Sequence, residues 1–373
     1  MKPPLLYALY TSNLYGTERM TLATAWALRD EFEPVILTAP GPVVDEAEKM
    51  GFTVVVVDTT NVVSLARALR PYLARYERLA FFGTRPVHSL VFSALNAWYR
   101  RRAAHVFVVH GGGWANKRRL NFLPVTLVAI SYFVRERLVA SGVRGAQIRV
   151  IENFLTDARV AAAVRRAPFA ERGVRRVAVI GRLAPEKRVD LLLTCLETHP
   201  ELAGIAFHVY GSGSELDALL ARARAADLNV VFEGYRADVG AELARADLFL
   251  HLASEEPFGL VVLEAMAAGV PVLVPDRGGA AGIVHEGVSG LHFAADDPAD
   301  LAACLTRLSR ADAPFLNALA AGGCAALENR FSERARIADY RSLLRAAPCG
   351  PQGGPAKVAL ERPARAGSRG GRA

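Results

Sequence analysis

Short runs of β-branched and aromatic residues alternate with segments of helical period along the first 141 residues. Leu5–Tyr10, Pro34–Ala39, Thr53–Asp58, Leu79–Phe82, His105–His110 and Leu127–Ser131 read as strands. Between them Thr17–Arg29, Val62–Tyr76, Val87–Arg101 and Tyr132–Ser141 repeat their apolar residues at helical spacing; Val63, Leu65, Leu69 and Leu73, for example, fall largely on one face. Val54–Val57 is apolar at every position, which predicts a strand of a parallel sheet covered on both faces by helices. Strand and helix in alternation make a doubly wound domain.

The pattern then restarts. Arg159–Arg176 is polar, rich in Ala and Arg and contains Pro168, and reads as a linker. Beyond it, Arg176–Ile180, Ala206–Tyr210, Val230–Phe232, Leu248–Leu252 and Val270–Val274 read as strands, with helices at Val189–Thr198, Glu215–Ala226, Val239–Arg245 and Gly259–Ala268. A last helix, Ser332–Ala347, opens on a serine suited to cap it. The expected organisation is α/β: a first Rossmann-like domain over 1–158, a second over 159–330, a terminal helix over 331–347 returning towards the first domain, and a basic tail over 348–373. Two doubly wound units facing each other leave a cleft between the carboxyl ends of their sheets, where α/β proteins bind ligands.

Composition sharpens this reading. With 373 residues and 52% apolar positions the chain can bury a core without disulfides or metal. The cysteines Cys195, Cys304, Cys324 and Cys349 show no C-x-x-C spacing, which argues against a zinc site, a redox dithiol and a secreted disulfide framework. No apolar run approaches the ~18 residues of a membrane span, and the stretch from Met1 to Tyr10 is too short and too interrupted for a signal peptide. A cytoplasmic chain is the expectation. Of 45 basic and 37 acidic residues, 1–158 hold 19 and 12, so the net charge of +8 lies mainly in the first half. Two clusters there, Trp98-Tyr-Arg-Arg-Arg102 and Trp114-Ala-Asn-Lys-Arg-Arg119, suit an anionic membrane surface or a phosphorylated acceptor, or else solvated surface; no nucleic-acid-binding motif accompanies them. The tail, rich in Gly, Pro, Ala and Arg, has too little to bury and is expected to be disordered.

The chemistry concentrates at strand ends of the second unit. Val177-Ala-Val-Ile180 runs into Gly181-Arg182-Leu-Ala-Pro-Glu186-Lys187, and two cations at a strand mouth near a helix N-terminus attract a diphosphate. After Leu248–Leu252 comes Ser254-Glu-Glu256-Pro-Phe258-Gly259-Leu260-Val-Val-Leu-Glu264-Ala-Met-Ala-Ala-Gly269-Val-Pro271. Glu256 precedes the helix and Glu264 lies two turns inside it, so the two carboxylates can hold separate hydroxyl-bearing parts of one ligand. Glu264 is either a surface residue or, among Val261, Val262, Leu263, Ala265 and Met266, a buried carboxylate whose cost a ligand would offset.

This segment resembles the signature of retaining GT-B glycosyltransferases, specifically glycosyltransferase family 4. Gly181-Arg182 with Glu186-Lys187, Gly211-Ser-Gly213-Ser-Glu215 and Phe232-Glu-Gly234-Tyr235 are similar to that family's other strand ends, and the resemblance spans roughly 5–347. It implies a GT-B fold and the transfer of a sugar from a UDP-, GDP- or ADP-sugar to a hydroxyl acceptor (a saccharide, a lipid-linked or a small-molecule acceptor), with no metal and no other cofactor; no Asp-x-Asp occurs. It further implies that Arg182 and Lys187 bind the diphosphate, Glu264 the ribose hydroxyls, and Glu256 the transferred sugar with Phe258, Gly259 and Leu260 nearby. Gly211 and Tyr235 would line the donor site. Gly16, in Tyr15-Gly16-Thr-Glu18 where the family carries two glycines, would allow close approach to the donor; Tyr15 departs from that pattern. His110, before Gly111-Gly-Gly113, stands where the family often has a histidine near the reacting face, or is structural. Asn153 is expected to be structural. The competing readings are a non-catalytic nucleotide-sugar-binding protein and a nicotinamide oxidoreductase suggested by Gly211-Ser-Gly213, whose third glycine is replaced by Leu216.

Overall fold

The computed structural model describes residues 2–101, 103–111, 117–171, 173–236 and 238–346. Arg102, the 112–116 part of the second basic cluster and the tail at 348–373 lie outside these residues. In the first half, β1 (Pro4–Ala8), α1 (Gly16–Leu28), β2 (Glu33–Thr38), α2 (Pro42–Lys49), β3 (Thr53–Val56), α3 (Val62–Arg75), β4 (Ala80–Gly83), α4 (Pro86–Trp98), β5 (Ala104–Val109), β6 (Thr126–Ala129), α5 (Tyr132–Ala140) and β7 (Ile148–Val150) build a seven-stranded sheet of order β3-β2-β1-β4-β5-β6-β7. All its pairs are parallel. Alternation decides which face each residue serves. Leu5, Tyr7, Ile36, Phe82 and Val106 enter one core, while Leu6, Ala8, Val35, Leu37 and Phe81 meet Leu65, Leu69 and Leu73 of α3 on the other side. Asn61 starts α3 by accepting from the amides of Val63 and Ser64 at 3.0 Å.

The segment α6 (Asp157–Ala162) leads into the second half. There β8 (Arg176–Ile180), α7 (Val189–Thr198), β9 (Ala206–Tyr210), α8 (Leu216–Ala225), β10 (Val230–Gly234), α9 (Gly240–Ala244), β11 (Leu248–Leu250), α10 (Leu260–Ala267), β12 (Val272–Pro275), β13 (Leu291–Phe293), α11 (Pro298–Ser309) and α12 (Ala313–Arg330) form a parallel sheet of order β10-β9-β8-β11-β12-β13. Each sheet reverses its winding once, between β1 and β4 and between β8 and β11, and so opens a crevice at the carboxyl ends of those strands.

Two expectations change. Val54–Val57 is flanked on both faces, Val54 by one core and Val55 and Val57 by the other, but β3 is the sheet's edge and its cover is partial, so Val56 is 54% exposed. The polar stretch from Arg159 is not all linker: α6 starts before it, capped by Thr156, whose hydroxyl accepts from the Arg159 amide at 3.3 Å. Alanine favours the helix there and the cap satisfies one of its free amides. The terminal helix α13 (Glu333–Ala346) packs on α1, with Tyr340 5.9 Å from the Phe82 ring and Arg341 paired with Glu31 at 2.7 Å. At the crossing between halves, buried Glu152 takes two bonds from Arg330, at 2.6 and 2.9 Å. Among the described residues no helix is long and apolar enough to cross a membrane.

Candidate active site

The second sheet's crevice is built by backbone crowding. A side chain at Gly211 would put Cβ 1.8 Å from the Gly181 carbonyl oxygen, and one at Gly213 would reach 2.1 Å from that of Leu183. These glycines therefore seat the β8 loop on the β9 loop. Leu183 seals the seam, its amide donating to Ser212 and its carbonyl accepting from Glu215. On that platform the Lys187 ammonium meets the Glu256 carboxylate, bridging the β8 and β11 loops. Burial would raise the Glu256 carboxyl, but Lys187 above all, then His251 and Arg182, outweigh it and hold the group below the usual carboxylate range. Arg182 differs from Lys187: its guanidinium pairs with Glu186 and its side chain is 68% exposed. The two cations expected to act together are thus one partly buried and one at the rim.

The 254–258 loop is held from behind. Gly279 donates to the Glu256 carbonyl at 2.6 Å, and a Cβ on Gly279 would lie 2.2 Å from the Pro257 carbonyl oxygen. Asp296 gathers Ser254 at 3.2 Å together with Arg188 and Arg277. Phe258 is buried against Phe331, and Gly259 adopts φ +104°, a left-handed start to α10 that glycine accommodates. Tyr235 is 66% exposed at the rim beyond β10.

Glu264 has a partner. Arg159 of α6 lies 2.8 Å from its Oε1, so the expectation of an unpaired buried carboxylate needing a ligand is corrected. Burial still raises its carboxyl above the usual value, with Arg159 and Arg19 opposing.

The first half closes over this platform. The Ser131 hydroxyl donates to the Pro257 carbonyl at 2.6 Å while accepting from the Val134 amide. Arg137 pairs with Glu255, and a Cβ on Gly111 would come 2.5 Å from Pro257. Gly16 opens α1 opposite Leu260, whose Cδ1 stands 3.4 Å from where a Cβ would be, so it faces the start of α10; Tyr15 beside it is 64% exposed. His110 lies next to Gly111, and burial pushes its imidazole down to about 4, leaving the ring uncharged at neutral pH. Buried Asn153 follows Glu152 at the crossing. Contacts thus join Gly16 to Leu260, the residue after His110 to Pro257 beside Glu256, and Glu256 to Lys187. Sequence reasoning missed Ser131, Arg159 and buried His251. The first carried a signal, a serine at the start of a helical pattern, but nothing local tells that its hydroxyl reaches the other half.

The fold has close counterparts among solved structures. The Anabaena protein HepE in complex with UDP superposes with a TM-score of 0.76 at 21% identity, over 93% of this chain and all of that one. A glycosyltransferase from Rickettsia africae gives 0.79 at 17%, over 93% and 98%. The apo lipopolysaccharide outer core galactosyltransferase WaaB gives 0.74 at 15%, over 93% and 99%. The fold is GT-B. Within it, residues 163–335, the half that carries Lys187, Glu256 and Glu264, match the family model described as Glycosyl transferases group 1. A GDP-mannose-dependent alpha-mannosyltransferase of Mycobacterium tuberculosis is 34% identical over 186 residues, 48% of this GT-B chain and 46% of that protein. The lipopolysaccharide core biosynthesis glycosyltransferase LpsE of Rhizobium meliloti is 31% identical over 204 residues, 54% and 59% of the two chains. The chain spans about half the length of these curated relatives.

Proposed function

We propose that this protein is a retaining glycosyltransferase of family 4 that moves a sugar from a nucleotide-diphosphate-sugar to a hydroxyl acceptor in the synthesis of a surface polysaccharide, lipopolysaccharide or glycolipid. The observation that carries the reading is the Lys187–Glu256 pair at the switch point of the second sheet, with Glu256 on the loop against which Gly111 of the first half packs. In the unliganded site each charge satisfies the other. A donor would separate them: its diphosphate takes Lys187, with Arg182 swinging in from the rim, and its sugar hydroxyls donate to Glu256. Glu264 would accept from the ribose hydroxyls. Lys187 and Arg182 would meet the charge that builds on the departing phosphate, which is our ground for a transfer that needs no metal.

Two carboxylates placed here act as hydrogen-bond acceptors rather than as a nucleophile, so the reading favours front-side substitution with the leaving phosphate taking the acceptor proton. His110, uncharged, would hydrogen-bond to the transferred sugar or acceptor. The basic first half supports work at the inner face of a membrane, in the cytoplasm. HepE, a structural counterpart, is described in complex with UDP and glucose. The test is a panel of UDP-, GDP- and ADP-sugars followed by thermal shift and by release of the nucleoside diphosphate. A stabilising donor whose hydrolysis is lost in Lys187→Ala supports the reading. A chain that neither binds nor turns over any of them sinks it.

A further inference from the structure

The carboxyl ends of β1, β4 and β5 lie side by side, since β4 pairs in parallel with both neighbours. Just beyond them stand Tyr10, Arg85 and His110, and Lys117, which opens a short helical turn, Lys117–Phe122, lies close enough to Arg85 to feel its charge. The Arg85 guanidinium stacks on the Tyr10 ring, Cζ 3.8 Å from its centroid. Both cations are half-buried. Neither has a carboxylate partner among the described residues, whereas Arg137, Arg159 and Lys187 around the same cleft are each paired with an acid. The Lys117 ammonium is pushed below its ordinary value by burial and then by Arg85, so the two charges feel each other. Fully buried His88, in the first turn of α4, offers no compensation: burial, then Arg85, hold its ring down at about 4 and therefore neutral. Two like charges half-removed from water without a counter-ion are costly, and an anion bound between them offsets that cost.

The geometry points to an acceptor-side anion site: Arg85 and Lys117 bind an anionic phosphate ester carried by the hydroxyl acceptor, with the Tyr10 ring fixing the guanidinium. This rests on the glycosyl-transfer reading of the cleft and names the class of acceptor. The rim abuts the donor side, because Gly111, next to His110, packs on Pro257 beside Glu256. An acceptor anchored there would present its hydroxyl towards the transferred sugar.

The full chain is titrated calorimetrically with glucose 6-phosphate, with glucose, and with vesicles of phosphatidylglycerol or phosphatidylcholine. Glucose 6-phosphate or phosphatidylglycerol should bind where the uncharged counterpart does not, and which of the two binds assigns the phosphate to a soluble or a lipid source. Arg85→Gln/Lys117→Gln should weaken that binding at least tenfold, Arg85→Lys/Lys117→Arg should retain most of it, and Lys187→Ala should change it less than twofold. Binding that survives the double glutamine variant, binding lost only in Lys187→Ala, or no binding of either phosphate probe overturns the proposal. UDP affinity is measured alongside: a chain that binds glucose 6-phosphate through Arg85 but not UDP loses the donor reading and keeps the anion site.

Discussion

Arg159 and Glu264 stand 2.8 Å apart across the join between α6 and α10, so the carboxylate read as a ribose ligand already has a cationic partner. The pair leaves Oε2 outside that contact and favours the ionised acid, against burial, which still raises its carboxyl overall. Arg159 thereby tunes the residue that would take the ribose.

A pH dependence follows. Only ionised Glu264 accepts two hydroxyls, and its carboxyl is raised, whereas that of Glu256 is lowered. As pH falls, Glu264 protonates first and nucleotide affinity is lost through it, before Glu256 titrates. Calorimetry with UDP from pH 8 to pH 4.5 should show an acid limb that Glu264→Gln removes and that Arg159→Ala moves to higher pH. Identical limbs in the wild type and Glu264→Gln would refute the assignment, since the titration of UDP itself is common to both.

Lys187 and Arg182 should not be equivalent. Lys187 is partly buried against Glu256, while Arg182 is exposed and paired with Glu186. Lys187→Ala should reduce turnover by about 10²–10³, the usual loss for one preorganised charge-stabilising donor. It should also cost about 1–3 kcal/mol of stability, because Glu256 keeps its burial without its nearest cation. Arg182→Ala should cost about tenfold, or ~1.4 kcal/mol of barrier, and leave the urea midpoint unchanged. Equal effects of the two substitutions on donor turnover would contradict this ordering.

How far the sequence could be read depended on whether the information was local. The strands Arg176–Ile180 and Ala206–Tyr210 and the helix Val189–Thr198 lie where their periodicity places them, because a buried parallel strand and an amphipathic helix each write their pattern into consecutive residues. The loop chemistry at 181–187 and 254–264 was equally visible. From Arg159 onward composition suggested a linker, yet the six-residue helix Asp157–Ala162 carries Arg159 to Glu264. A helix that short has no room for a period, and its use depends on a partner about a hundred residues away. The elements α2, β7, β13, α11 and α12 were not assigned, and the Gly278-Gly279 buttress was unread for the same reason: only packing shows that Gly279 sits against Pro257. Ser131 read as a strand end, and its bond to Pro257 is a property of two lobes in contact.

The glycines at the platform give a stability series. Gly211→Ala must push Cβ into the Gly181 carbonyl oxygen at φ +150°, and Gly279→Ala into that of Pro257. Neither contact has a flexible side chain to yield, so each should cost more than ~3 kcal/mol, at the upper end for single substitutions, and lower activity through a displaced loop. Gly269→Ala meets nothing within 4 Å and carries only the left-handed φ of +69°, for a loss of about 1 kcal/mol. Gly204→Ala, also in open space, should fall within about 0.5 kcal/mol of wild type. Chemical denaturation of the four variants checks the order.

His110 should contribute no ionisation to activity near neutrality. With its imidazole at about 4, the ring is already uncharged at pH 6 and stays so at pH 8. On the proposed reading it acts by hydrogen bonding, so kcat/KM should show no limb near pH 6.5 that His110→Gln abolishes, and glutamine should preserve more activity than alanine. A limb near 6.5 that disappears in both variants would show that the ring titrates in the working enzyme.

At the loop that carries Glu256 the first lobe makes few contacts among the described residues, which makes this part of the interface adjustable. Ser131 reaches the Pro257 carbonyl, Arg137 pairs with Glu255, and Gly111 packs on the same proline. All three touch the loop that carries Glu256, so on the proposed reading donor binding and lobe closure are coupled through one short segment. Ser131→Ala removes the α5 cap as well as the bridge and should cost about 1 kcal/mol. Combined with Arg137→Ala it should enlarge the radius of gyration seen by small-angle scattering without nucleotide, and saturating UDP should restore the compact curve, because the ligand refastens the Glu256 loop from the donor side. Scattering that is identical for wild type and double variant, with and without UDP, would mean that these bonds record the contact without governing it.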